Sequence, residues 1–183
     1  MRVITGSARG RKLQTLPGTD VVRPTSDKVK ESMFSIIQFE LSNAVVLDAF
    51  AGSGQLGIEA ISRGAQKAYF LDRSKDASRV IQENLQSVGF TEQATCLTTD
   101  ALSFLRSTHE KFDIVFLDPP YHAGLLEETL ELVSGALNDS AWVLCETDQR
   151  QMLPEEMHFL KKYREYTYSK TKLTVYRNIE AIL

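Results

Sequence analysis

Asp118-Pro119-Pro120-Tyr121 follows an apolar run, Ile114 to Leu117, and is the sharpest chemical signal in the chain. Two consecutive prolines set the backbone and remove two N–H donors, so their carbonyl oxygens and the Asp118 carboxylate form a lip that only accepts hydrogen bonds. Tyr121 adds an aromatic face for a flat ring. Such a lip suits an exocyclic amine on a nucleobase. Two acceptors take its N–H groups, the ring stacks, and the nitrogen lone pair is directed at an electrophilic methyl. The plainer alternative is a proline turn that ends a strand.

A second group of residues, Asp48-Ala49-Phe50-Ala51-Gly52-Ser53-Gly54-Gln55-Leu56-Gly57, follows an earlier apolar run. Its glycines satisfy G-x-G-x-x-G, and Asp72 ends the next run 20 positions after Gly52, the place of a ribose-binding carboxylate. The glycines alone do not choose between a dinucleotide and another adenosine cofactor. Asp48 helps, because a carboxylate beside the loop is poorly placed for a pyrophosphate but well placed for an ammonium group. S-adenosylmethionine carries an ammonium and a sulfonium and no phosphate. The alternative is a tight glycine turn with Asp48 capping a helix. Asp100, after the third run, either accepts from an adenine amine or caps the helix carrying Leu102, Phe104 and Leu105.

These residues need a frame that brings them together. Ala44 to Leu47, Ala68 to Leu71, Ala94 to Leu97, Ile114 to Leu117 and Trp142 to Cys145 read as strands buried on both faces. Helical patterns separate them. Ala77, Val80, Ile81, Leu85 and Val88 share one face between an N-cap at Ser74 and a stop at Gly89, and Leu125, Leu126, Thr129, Leu130, Val133 and Leu137 share another. This alternation predicts a parallel sheet with helices on both faces and a ligand site outside the strands' carboxyl ends. Residues 1 to 16 read as a short hairpin turning at Gly6 to Gly10, followed by a loop from Pro17 to Pro24 and a helix over about Ser26 to Leu41. Tyr163 to Tyr176 read as an antiparallel pair of strands.

Composition is consistent with that frame. At 183 residues, 43% hydrophobic and 9% aromatic, the chain has the material for one sizeable core. Its longest apolar run, Ala141 to Cys145, is far below the ~20 residues that span a bilayer. No secretory signal is evident, and Cys96 and Cys145 form no Cys-x-x-Cys, so a cytosolic protein with two reduced, buried thiols is expected. The net charge of −3 hides a partition: residues 1 to 35 and 161 to 183 each carry +4, and the middle carries −11. Basic ends attract a polyanion, with Arg9, Arg11 and Lys12 the densest cluster. His109, His122 and His158, with two distant cysteines, support no metal site; His122 either touches substrate or is an exposed first-turn residue. Lys75, Asp76 and Arg79 read as a solvated helix face.

Asp48 to Gly57 with Glu59-Ala60-Ile61-Ser62-Arg63-Gly64-Ala65, the segment Arg23-Pro24-Thr25-Ser26-Asp27-Lys28-Val29-Lys30-Glu31, and Asp118 to Tyr121 together resemble the RsmD family. Its members are bacterial small-subunit (16S) ribosomal RNA guanine-N2 methyltransferases of the class I, S-adenosylmethionine-dependent type. The likeness runs through nearly the whole chain, including Arg9-Gly10-Arg11-Lys12-Leu13. Ala49, Gln55 and Ser35 depart from the family's usual Leu, small residue and Asn. The resemblance implies a Rossmann-like fold with a mostly parallel seven-stranded sheet, an antiparallel C-terminal strand and an N-terminal β-hairpin. Residues 1–24 would be a basic RNA-contacting extension and 25–183 the methyltransferase domain. Asp48, Phe50, Ala51, Gly52, Ser53 and Gly54 would hold the methionine end of the cofactor, Asp72 the ribose, Arg73 its neighbourhood, and Asp100 with Ala101 the adenine. Asp118, also beside the cofactor, would hold the target guanine with Pro119, Pro120 and Tyr121. Arg9, Arg11, Lys12 and Arg23 would touch RNA, with Arg23 and Thr25 closing over the cofactor. The expected partner is small-subunit ribosomal RNA or the subunit itself, bound by a monomer without metal. Two rivals use the same residues: a DNA adenine-N6 methyltransferase, and a non-catalytic RNA-binding ribosome-assembly factor. A nicotinamide-dependent dehydrogenase is disfavoured by Asp48.

Overall fold

The computed structural model describes residues 1–16, 27–120 and 124–179. Five parallel strands, β1 (Val45–Asp48), β2 (Lys67–Asp72), β3 (Ala94–Thr98), β4 (Phe112–Leu117) and β5 (Leu137–Asp148), stand in the order β3-β2-β1-β4-β5. The sheet continues antiparallel through β8 (Thr171–Asn178), β7 (Leu160–Tyr168) and the two-residue β6 (Glu156–Met157). The expected α/β frame is therefore present, with eight strands in place of seven. The extra one is a two-residue edge too short to leave a periodic signal.

Alternation along each strand divides the core. Val46, Ile114, Phe116, Leu144 and Val175 face α1 (Asp27–Ile36), α2 (Gln55–Ser62) and α3 (Lys75–Val88), meeting Phe34, Ile58 and Ile81. Leu47, Val115, Leu117, Val143 and Cys145 face the other way, toward α4 (Ala101–Ser107) and α5 (Leu125–Ser134), meeting Leu105, Leu126 and Leu130. This period of two buries both faces of the central strands. β3, at the sheet edge, is only half-buried, and Cys96 on it is half-buried too, whereas Cys145 is fully enclosed.

Helix ends follow local chemistry. Ser74 caps α3 by accepting from the Ala77 N–H, and Gly89 closes it in the left-handed region, both as the sequence predicts. Two expectations fail. Leu137 begins β5 instead of extending α5, because its helical spacing coincides with a strand position opposite Phe112. α1 ends at Ile36, and Ile37 and Leu41 are buried from turns beyond it.

Residues 1–16 do not form a ladder of paired strands. Their arms meet in one antiparallel bridge, Arg2 with Lys12, flanked by backbone hydrogen bonds from Val3 N–H to the Arg11 carbonyl (3.0 Å), Gly10 N–H to the Val3 carbonyl (2.9 Å) and Leu13 N–H to the Met1 carbonyl (3.0 Å), and the segment is also held by the body. The fully buried Glu59 of α2 accepts from the backbone N–H groups of Ile4 (2.8 Å) and Thr5 (2.9 Å). It also takes Arg63 Nε at 2.8 Å and lies 3.5 Å from the buried Lys30 ammonium of α1, which donates to the Arg2 carbonyl at 3.0 Å. Among the described residues no helix is long and apolar enough to cross a membrane.

Candidate active site

The order of strands decides what meets at their carboxyl ends. β1 pairs with both β2 and β4, so the glycine loop after β1 lies between Asp72 and the proline run after β4. A cavity of about 1160 Å³ opens there. Phe50, Ala51, Gly52, Ser53, Asp72, Arg73, Asp100, Ala101, Asp118, Pro119 and Pro120 all line it, so eleven sequence-predicted residues from four loops share one space. Arg23, Tyr121 and His122 lie outside the described residues.

The loop is shaped by the motif's own hydrogen bonds. Asp72 accepts from the Gly52 N–H at 3.0 Å and from the Ser74 N–H at 2.8 Å. The Gly54 N–H donates to the Ala51 carbonyl at 2.7 Å, with Gly54 at φ +81°. A Cβ at Gly57 would sit 2.3 Å from the Phe70 ring, so this glycine lets α2 approach β2 closely. Asp72 thus holds the loop and walls the cavity with one side chain. Asp100 takes the capping role, Oδ2 accepting from the Ser103 N–H (3.0 Å) and hydroxyl (3.2 Å) at the start of α4, and the residue also lines the cavity.

Asp48 and Gly54 stand behind the lining. Asp48 is buried beneath the loop and accepts from the Gly57 N–H at 3.1 Å. Burial pushes its carboxyl up to about 7; the Gly57 hydrogen bond opposes the shift, and the charges of Asp118 and Asp72 add to it. Gln55, at the first turn of α2, lines the cavity while 7% exposed, and its Oε1 is buried with no hydrogen-bond partner. Donors brought by a ligand would satisfy this site, where carboxylates of Asp72, Asp100, Asp118, Glu146 and Asp148 outnumber the cations of Lys28, Arg73 and Lys170. A cation with hydroxyl and amine donors therefore fits, and a pyrophosphate does not.

Several lining residues carried no motif in the sequence. Thr15 and Leu16 arrive from the N-terminal segment, and Glu146, Asp148, Tyr168, Ser169, Lys170 and Thr171 from the antiparallel end of the sheet; Lys28 and Val29 of α1, from the Arg23–Glu31 segment already singled out, line it beside them. Asn84 of α3 ties the first group to the loop: it exchanges hydrogen bonds with the Gln14 backbone (2.7 and 3.1 Å) and donates to the Ser53 carbonyl at 2.9 Å. Arg9, Arg11 and Lys12 are exposed outside the cavity lining, and Arg11 also donates to the Ser87 carbonyl. His109 and His158 are exposed, as are Arg79 and its partner Asp76, while its other partner Glu83 is half-buried. Among the described residues no group of three or more His, Cys, Asp and Glu is arranged to hold a metal ion.

This chain is similar to known proteins over almost its whole length. The Haemophilus influenzae protein named ribosomal RNA small subunit methyltransferase D is 38% identical over 169 residues, covering 88% of this chain and 87% of that one. The solved structure of the Escherichia coli protein yhhF superposes with a TM-score of 0.88 at 34% identity, covering 98% of both chains. An RNA methyltransferase from Salinibacter ruber, solved with S-adenosyl-L-homocysteine, shares the fold at 12% identity, covering 86% of this chain and 95% of that one with a TM-score of 0.68. Residues 1–177 match the family described as conserved hypothetical protein 95. With the glycine loop, Asp72 and the proline lip in one cavity and these identities over most of its length, the chain belongs to that family, the RsmD family.

Proposed function

We propose that this protein transfers a methyl group from S-adenosylmethionine to the exocyclic N2 amine of a guanine in small-subunit (16S) ribosomal RNA. The carrying observation is the juxtaposition of the acidic glycine-loop pocket after β1 with the acceptor lip after β4 in one cavity. When bound, S-adenosylmethionine supplies a methyl group on a positively charged sulfur. Asp48, beneath the Phe50–Gly54 loop, favours the cationic end of that molecule; Asp72 accepts from ribose hydroxyls, and Asp100 with Ala101 borders the adenine, beside Arg73.

At the lip, the Asp118 carboxylate and the Pro119 carbonyl accept the two N–H groups of the guanine amine, holding its lone pair along the line of attack. Pro120 keeps the lip rigid and Tyr121 stacks on the base. The chain thereby lowers the barrier by positioning and by fixed acceptors, with no strong base, because the methylated nitrogen is acidic enough to lose its extra proton readily. Residues 1–24 serve as a basic extension in which Arg9, Arg11, Lys12 and Arg23 contact RNA phosphates, and residues 25–183 form the methyltransferase domain.

The test is transfer of a labelled methyl group to small ribosomal subunits, ribosomal RNA and DNA in parallel, with nucleoside analysis of the product. N2-methylguanosine from the ribosomal substrates supports the reading. N6-methyladenine in DNA replaces it with the rival chemistry, and no transfer with intact RNA binding leaves a non-catalytic assembly factor. Asp118→Ala is expected to cost at least about 100-fold in turnover with S-adenosylhomocysteine binding retained; full activity in that variant rejects the assignment.

A further inference from the structure

The antiparallel end of the sheet carries a feature that the cavity does not use. The single carboxylate within β7 and β8, Glu165, is placed on one face and neutralised there. On the face toward α4 and α5, Glu165 pairs with Lys162 (3.4 Å) and Lys172 (3.4 Å) and takes the Thr174 hydroxyl at 3.2 Å, and Lys162 also meets Glu155 at 2.6 Å. On the opposite face, Tyr166 and Tyr168 flank the core built around Leu173 and Val175. The β-bulge between Lys162 and Arg164 adds one residue, which brings Tyr163 to this second face together with Arg164. The Tyr163 ring lies edge-on to Trp142 at 5.2 Å, the Arg164 guanidinium stands 5.6 Å over Tyr163, and Arg177 stands 5.0 Å over Trp142. Neither arginine has an ion-pair partner among the described residues, and Tyr163 is 51% exposed.

We propose that Tyr168, Tyr166, Tyr163, Arg164 and Arg177 form a rail on which nucleotides flanking the target base of a single-stranded RNA stack as they leave the cavity. The inference rests on the functional reading above and deepens it by giving the substrate a path. Continuity supports it, because Tyr168 and Lys170 line the cavity mouth and the rail departs from there along β7. Five steps along the strand from Tyr168 to Tyr163 at ~3.3 Å each make a track of about 17 Å, room for two or three bases. Chemistry chooses RNA as the occupant: aromatic faces alternating with guanidinium groups stack on any base while the cations meet phosphate, and the single carboxylate of these strands is paired on the other face. Glu40, Asp113 and Asp139 around Trp142 mark the end of the track, where phosphates are repelled.

The test uses the full-length protein and a short single-stranded RNA of mixed sequence, with binding followed by fluorescence anisotropy. Tyr163→Ala combined with Arg164→Ala is expected to weaken RNA binding about tenfold and to raise KM for ribosomal substrate with kcat little changed. Tyr163→Phe, which keeps the stacking face, stays within about twofold of the parent, and S-adenosylhomocysteine affinity is the same in all. Unchanged RNA affinity in the double variant, or no RNA binding by the parent, overturns the rail. So does a parallel loss of S-adenosylhomocysteine binding, which marks a structural role. Loss confined to protein-containing subunits overturns it in favour of a protein contact. A parent that methylates ribosomal substrate beside an indifferent double variant leaves the functional reading standing, whereas a parent that transfers no methyl while binding RNA along the rail rejects only that reading.

Discussion

Asp48 shows how one residue can be held in an uncomfortable state for a ligand's benefit. Its carboxyl is pushed from the ordinary 3.8 to about 7 by burial, so the folded protein keeps a proton that the unfolded chain has lost. Stability contributed by this group is full below pH 4 and falls as pH rises toward 7. In Asp48→Asn that dependence is absent. The variant is expected to gain up to about 4 kcal/mol relative to the parent between pH 4 and pH 8, while losing cofactor affinity; parallel thermal-melting profiles of the two proteins across that range would reject this account. Gln55 makes the same point without charge. Its buried Oε1 has no partner, so Gln55→Leu is expected to stabilise the ligand-free protein by about 1 kcal/mol and to weaken S-adenosylhomocysteine binding several-fold by calorimetry. Asp118 required only its neighbours in sequence to be recognised, because prolines on both following positions already define an acceptor lip. Gln55 was visible as a departure from the family's small residue, but its lack of a partner is a property of packing.

At the scale of elements, α2 does two jobs. Its first turn carries the glycine loop, and its Glu59 gathers Ile4, Thr5, Arg63 and Lys30 into one buried cluster that fastens the N-terminal segment and α1 to the body. Burial pulls the Lys30 ammonium below its ordinary range despite Glu59 beside it. Removing Glu59 leaves that buried cation with no counter-charge and only the Arg2 carbonyl to accept from it, and takes the acceptor from the part-buried N–H groups of Ile4 and Thr5. Glu59→Ala is therefore expected to cost about 3–5 kcal/mol in chemical denaturation, and Glu59→Gln, which keeps an acceptor, less. Equal stability of Glu59→Ala and the parent would show that the cluster holds nothing. α3 was legible end to end, since Ser74 and Gly89 act within their own turns. The hairpin expected over residues 1 to 16 was legible only in part: Gly6 to Gly10 do reverse the chain, and the arms exchange backbone hydrogen bonds at Val3 with Arg11 and Gly10 and at Leu13 with Met1, but they build no strand ladder beyond the Arg2–Lys12 bridge, and further bonds run to α2, some 55 positions away.

Over the whole molecule, charge is sorted as well as counted. The +4 ends and the −11 middle put an acidic pocket in the body and basic side chains on the N-terminal segment and the antiparallel strands. Attraction of RNA to the exposed Arg9, Arg11 and Lys12 is a phosphate interaction. Replacing all three by Ala is expected to weaken RNA binding at low salt and to lower the slope of log K against log salt by about 2, or ~0.7 per contact for a single strand. An unchanged slope would remove these residues from the interface.

By itself the sequence determined the strand and helix alternation, the glycine loop, the acceptor lip and the family, because each depends on residues close together in the chain or on motif spacing. Only the tertiary structure decided that β1 lies against β4, which merges loop and lip into one cavity, and that Glu146, Asp148 and Tyr168 to Thr171 return to its wall. The physical reason is that strand neighbours are chosen by burial of both sheet faces and by the crossovers between strands, which no local pattern encodes. The bulge that turns Tyr163 beside Arg164 belongs to the same class, one residue of register set by pairing with β8 across the sheet.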